Sequence, residues 1–190
     1  LVTLIFVALN FLLDISPVKM VTNKEIQMIQ TAVRVDLVGL PRHTLKELEK
    51  ITNKKVTKSR QHYLMLKHPD TYQQLINVNI NNDYTMGYAS KIGFRAGICA
   101  TYPFFDILKN KEESLQITPF QIMDGTLNHY ENLTPEQATK KIKEIITVIK
   151  NVNGTFVSLW HNTSLSEVNE WKNWTKVYEN LILNAKQIDN

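Results

Sequence analysis

Cysteine is almost missing from this chain. Cys99 stands alone among 190 residues, which excludes an internal disulfide and fits a reducing compartment. The short patterns of common cofactor chemistry are missing too. No HExxH, paired CxxC or DxD cluster offers a metal site. No GxGxxG or phosphate loop supports a nucleotide cofactor, and the GxSxG elbow of serine hydrolases is absent. No repeat, low-complexity tract or Gly/Ser linker divides the chain, so residues 1–190 read as one domain.

Charge of one sign is not concentrated anywhere. The 22 basic and 18 acidic side chains leave a net charge of +4, spread in pairs such as Lys54-Lys55 and Lys140-Lys141. Arginine clusters interleaved with aromatics, the mark of a nucleic-acid groove, do not occur. An apolar fraction of 43% and a charged fraction of 21% suit a folded domain. Leu1 to Leu13 holds 11 apolar residues of 13, short of the roughly 20 that a spanning helix needs. It has neither a basic leader nor a small-residue cleavage site, so a buried strand, or a strand running into a helix, is expected there and no membrane span is assigned.

What is present alternates. Leu45 to Ile51 has helical spacing behind a Thr44 cap, and Val56 to His62 reads as the strand that follows. Pro69 opens a helix whose apolar face carries Tyr72, Leu75, Ile76 and Ile80. "DYTMGYAS" reads as the next strand, with Gly87 permitting close backbone approach. Lys91 to Gln116 looks irregular, and "LQITPFQIMDGTL" has strand character ending at a turn. The clearest element follows: Thr134 as cap, Pro135 in the first turn, and Ala138, Ile142, Ile145, Ile146 and Ile149 as an apolar stripe stopped by Gly154. "GTFVSLWHN" is a further strand, and a helix from about Glu170 to Asn184 closes the chain. This alternation predicts an α/β fold with a mostly parallel sheet.

In such sheets functional groups gather where strands end. His161 stands at one such end. Arg60 and His62, two apart in "SRQH", would share one face of another strand, where arginine orients a carboxylate and histidine binds metal or moves a proton. Asp83 begins "DYTMGYAS", Arg95 lies between the glycines of "GFRAG", and Asp124 precedes glycine in "MDGTL". Each also has a plain structural reading as a turn or loop residue.

Taken together, "TKSRQHYLMLKHPDTYQQL", "DYTMGYASKIGFRAGICATYPFFDI", "PFQIMDGTL" and "GTFVSLWHNTSLSE…WKNWTKVYENLI" resemble, in order and spacing, the C-terminal half of a Bacteroidetes-type polysaccharide deacetylase-like family related to carbohydrate esterase family 4. The resemblance runs from about Leu45 to Ile182. It implies a partial or deformed (β/α) barrel and hydrolysis of acetyl groups on a cell-envelope or capsular polysaccharide, assisted by a divalent metal such as zinc. "VSLWHN" is similar to the late-strand histidine motif, which makes His161 the implied general acid. The arginine motif corresponds to "SRQH" or "GFRAG", with strand order favouring Arg60 over Arg95. Asp83 and Asp124 become candidates for supporting the histidine, and His62 a weak metal candidate. The family's early aspartate motif, which supplies the base and a metal ligand, has no counterpart. Its histidine stretch should fall near "VDLVGLPRHT", where Gly39 ends the strand and His43 is a poor substitute. The chain therefore reads as an N-terminally truncated domain, and a half barrel would expose a sheet edge for association. The rival expectation is a glycan-binding module without catalysis, in which Tyr63, Tyr84, Tyr88, Trp160, Trp171 and Trp174 offer stacking surfaces. Bacterial cytoplasm and cell envelope both suit either reading.

Overall fold

A computed structural model describes residues 53–186, the helical pairs 45–46 and 49–50, and the backbone of two short antiparallel strands, β1 (Leu13–Asp14) and β2 (Lys19–Met20). The expectations for residues 1–12 and for Gly39, His43 and Thr44 lie outside the described residues. The helical pairs fall within the segment expected to be helical.

Along the chain then come β3 (Lys58–Ser59), α1 (Asp70–Asn77), β4 (Asn82–Asp83), β5 (Tyr102–Asp106), β6 (Lys111–Ile117), β7 (Ile122–Met123), α2 (Pro135–Asn151), β8 (Ser158–Leu159) and α3 (Trp174–Lys186). Four strands form one sheet in the order β3-β4-β6-β5, parallel except for β5, which runs antiparallel to β6 at the edge. β7 and β8 pair in parallel, Ile122 opposite Ser158 and Met123 opposite Leu159. The fold is mixed α/β with mostly parallel strands, and among the described residues the strands do not close into a barrel.

Helix α2 forms where expected and for the expected reasons. The Thr134 hydroxyl accepts the Gln137 N–H, while the Gln137 side chain accepts the Thr134 N–H, a reciprocal cap that satisfies two otherwise orphaned donors. Ala138, Ile142, Ile146 and Ile149 are buried along one stripe. Past the helix end it is Asn153, rather than Gly154, that turns left-handed at φ 50°. Gly154 instead lies against Cys99, where a Cβ would collide with the sulfur.

Other elements differ from expectation. Of the strand expected over Val56 to His62 only Lys58 and Ser59 form, and "DYTMGYAS" contributes only Asp83, because the β3–β4 pairing ends at Ser59 and Asp83. Tyr63 and Leu64 then both adopt φ 54°, a left-handed conformation that turns the chain sharply. The segment read as irregular contains a hairpin, β5–β6, in which buried Leu115 and Ile117 alternate with more exposed, polar Ser114 and Gln116. Its tip exposes Ile107 and Leu108, and among the described residues β3 and β5 are the edge strands to which an expectation of association would attach. Helix α3 starts at Trp174, later than Glu170, because Asn173 sits at φ 68°.

The β7–β8 pair is buried on both faces, as a covered parallel layer must be. Phe156 and Trp160 point toward α2 and α3, joining Ile142, Trp174 and Leu181. Val157 and Leu159 point the other way, onto Phe120 and Met123. The period of two in "FVSLW" leaves the next residue, His161, free to leave the layer at its end.

Candidate functional site

The carboxyl ends of β3, β4, β7 and β8 carry Arg60, Tyr84, Asp124 and His161 at or just past their last strand positions. Register explains the central contact. With Met123 opposite Leu159, Asp124 is opposite Trp160 and one step from His161. The Asp124 side chain then continues the ladder: its Oδ2 accepts the His161 backbone N–H at 2.6 Å, where a strand would offer a carbonyl. The other oxygen, Oδ1, lies 2.6 Å from His161 Nδ1 and also accepts the Gly125 N–H at 2.6 Å. Ser164 Oγ–H donates to Oδ2.

Asp124 is fully buried, whereas the His161 side chain is 37% exposed. A carboxylate on Nδ1 fixes a proton there and leaves Nε2 as the ring's free position. Burial alone would push the imidazole below its ordinary value. The Asp124 hydrogen bond and charge outweigh it, so His161 is raised above 6.5, while the positive charge of Arg60 opposes the rise.

Arg60 is buried, with 6% of its surface exposed. Its Nε–H donates to the Tyr84 carbonyl at 3.1 Å, and its guanidinium carbon sits 5.7 Å from the centre of the Phe120 ring. Desolvation lowers its pKa to about 10 against the support of Asp83. Its Nη2 is buried with no hydrogen-bond partner among the described residues. Phe120 in turn packs on Gly87, where any Cβ would enter the ring, as the glycine in "DYTMGYAS" suggested.

Asp83 is a different kind of carboxylate. It is fully buried and takes hydrogen bonds from Ser59 Oγ at 2.6 Å, Thr85 N at 2.9 Å and Thr85 Oγ1 at 2.8 Å. Thr85 Oγ1 also accepts the Gln61 N–H at 2.9 Å, tying the ends of β3 and β4 together. Burial pushes the Asp83 carboxyl up despite these donors and Arg60.

Of the candidates from sequence, Asp124, His161, Arg60 and Asp83 are brought together. His62 is not: the expectation that it shares a strand face with Arg60 is corrected, since β3 ends at Ser59 and His62 is exposed, its ring 4.1 Å from that of Tyr63. Arg95 is exposed and donates to the Gly87 carbonyl at 3.1 Å, fastening the glycine loop. Trp160 is fully buried beside Trp174 and Tyr178, and Trp171 and Trp174 are core residues as well. Tyr63 is 82% exposed and Tyr88 40%.

Sequence reasoning missed Ser164 and Thr85. Thr85 has a signal, an aspartate two residues before a hydroxyl, which favours a local side-chain turn. Ser164 follows His161 by three, and a tight turn in which its N–H donates to the His161 carbonyl at 3.2 Å returns it to the site.

No three His, Cys, Asp or Glu side chains converge among the described residues in a way that could hold a metal ion. These residues therefore do not by themselves fit the divalent metal that the resemblance implies. No helix among them is long and apolar enough to cross a membrane. Comparison with known protein families, with curated proteins and with solved structures finds no match to this chain.

Proposed function

We propose that this chain is a hydrolase domain of the polysaccharide deacetylase type, with a deformed (β/α) barrel as its parent architecture and an acetylated bacterial glycan as its substrate. The observation that carries this reading is the Asp124–His161 pair, 2.6 Å apart at the end of two parallel strands, with the buried guanidinium of Arg60 behind it. In hydrolysis, water adds to the acetyl carbonyl, and the C–N or C–O bond to the sugar then breaks as the leaving atom takes a proton. His161 gives that proton from Nε2 while Nδ1 stays on Asp124, so the imidazole becomes neutral without turning. The upward shift that Asp124 gives the imidazole increases the share of its acid form near neutrality. Asp83 does not serve as the base that activates water, because it is sealed by Ser59 and Thr85. Arg60 Nη2, without a partner among the described residues, is the donor available to a carboxylate base.

The test is acetate release from N- and O-acetylated oligosaccharides, with zinc added and with a chelator present. A His161→Ala change should lower the rate by about 10²-fold or more. Full activity in the alanine variant would overturn the assignment of His161. One observation favours a second reading, glycan binding without hydrolysis: the Tyr63 ring is 82% exposed on a left-handed turn just after Arg60, a geometry suited to stacking on a sugar face. There, Tyr63→Ala would abolish oligosaccharide binding while His161→Ala would not.

A further inference from the structure

Asp124 accepts more donors than its task of holding a histidine requires. The His161 N–H fixes Oδ2 and the Gly125 N–H fixes Oδ1, both at 2.6 Å. These two backbone donors already set the plane of the carboxylate and aim Oδ1 at His161 Nδ1. Ser164 adds a further donor, on Oδ2, from a fully buried side chain. Its position is itself determined by the backbone, since the Ser164 N–H bonds to the His161 carbonyl within the short helical turn Asn162–Leu165. Orientation is therefore provided without Ser164, and what its hydroxyl changes is the charge that the carboxylate presents to the ring.

We propose that Ser164 is a positioning residue that sets the acidity of His161 through Asp124, drawing negative charge from the carboxylate so that the imidazolium releases its proton more readily. Its meaning for catalysis rests on the deacetylase reading; its action on the imidazole does not. A hydrogen-bonded carboxylate is a weaker base than a bare one, so the proton shared with Nδ1 is held less tightly. Among the described residues, the charged groups that act on His161 are Asp124 from the end of β7, which favours the charged ring, and Arg60 from the end of β3, which opposes it. Ser164 acts on the first of these, in the same direction as Arg60.

The experiment is an NMR titration of the His161 ring nitrogens in the full chain and in its Ser164→Ala and Ser164→Cys variants. The alanine variant should show a His161 pKa higher by about half a unit, a fraction of the roughly one to two units that a hydrogen bond to a charged group is worth, because Ser164 reaches the ring only through Asp124. The cysteine variant, whose thiol is a weak donor, should fall between it and the natural chain. An unchanged pKa in a folded variant would reduce Ser164 to packing and overturn the proposal. A lowered pKa would also overturn it, because Ser164 would then be the brace that keeps Asp124 on the ring. Should the alanine variant not fold, the cysteine variant carries the same test with the same sign. The titration reads Ser164 whether or not the chain hydrolyses anything, so failure of the hydrolase reading would appear in acetate release alone.

Discussion

Two buried aspartates stand at the same edge of this fold and have opposite fates. Asp83, at the end of β4, is closed over by Ser59 and Thr85, and the charge of Arg60 acts on it. Asp124, just past β7, is as deeply buried and as richly bonded, but one of its partners is a histidine that reaches solvent. The first carboxylate ties two strand ends together. The second delivers its charge to a group that can meet a substrate. Burial and hydrogen-bond number do not separate a structural acid from a functional one here; what separates them is whether the last partner in the chain of bonds is accessible.

The comparison can be broken most severely at Asp83. An Asp83→Ala change leaves the buried donors of Ser59 and Thr85 unpaired and Arg60 without its counter-charge. A loss of about 3 kcal/mol or more is expected in denaturant unfolding, with little change in the His161 ring beyond the loss of fold. A smaller effect is expected beneath the arginine. Gly87→Ala would drive a methyl into Phe120 and should cost about 1–3 kcal/mol. Because Phe120 carries Arg60, the guanidinium should move as well, which its side-chain NMR signal would report.

Asp124→Asn sharpens the contrast at nearly unchanged side-chain size, although its NH2 must face donors that the carboxylate accepted and so costs stability at every pH. The His161 pKa should fall, since burial then acts without the carboxylate that outweighs it. The sign for stability follows. A histidine raised in the folded state contributes stability that is fully present below its unfolded value near 6.5. That contribution is lost as pH rises through the higher folded value. In the asparagine variant burial opposes the charge, so stability declines on acidification instead. The gap in Tm between the two proteins should therefore be widest near pH 5 and narrowest near pH 9. Because the ring is 37% exposed, solvent screening keeps the change in the gap modest, and equal gaps across that range would contradict the pairing.

How far the sequence could be read depended on the range of the interaction. Helix α2 was legible because its cap, its first-turn proline and its isoleucine stripe are all local. The β5–β6 hairpin was legible only at its end, where "LQITPF" has strand character at Leu115 and Ile117; upstream, the charged, exposed residues of β6 dilute the period of two. His161 and Arg60 could be named as strand-end groups, but the partner of His161 lies 37 residues away. Their meeting depends on the parallel pairing of two very short strands, which no local pattern states. His62 went astray for the opposite reason. A two-residue spacing implies a shared face only while the strand lasts, and β3 ends before Arg60.

The His161 N–H bond to a side-chain oxygen, in place of a carbonyl, has a consequence for how this domain can be watched. It makes the imidazole the terminal tooth of a zip whose two halves come from distant stretches of chain. A slip of one residue between β7 and β8 would separate Asp124 from the ring entirely. The proton on Nδ1 is thus a single-atom gauge of register: its downfield resonance should appear only when the sheet has closed correctly, and it should vanish before the helices melt.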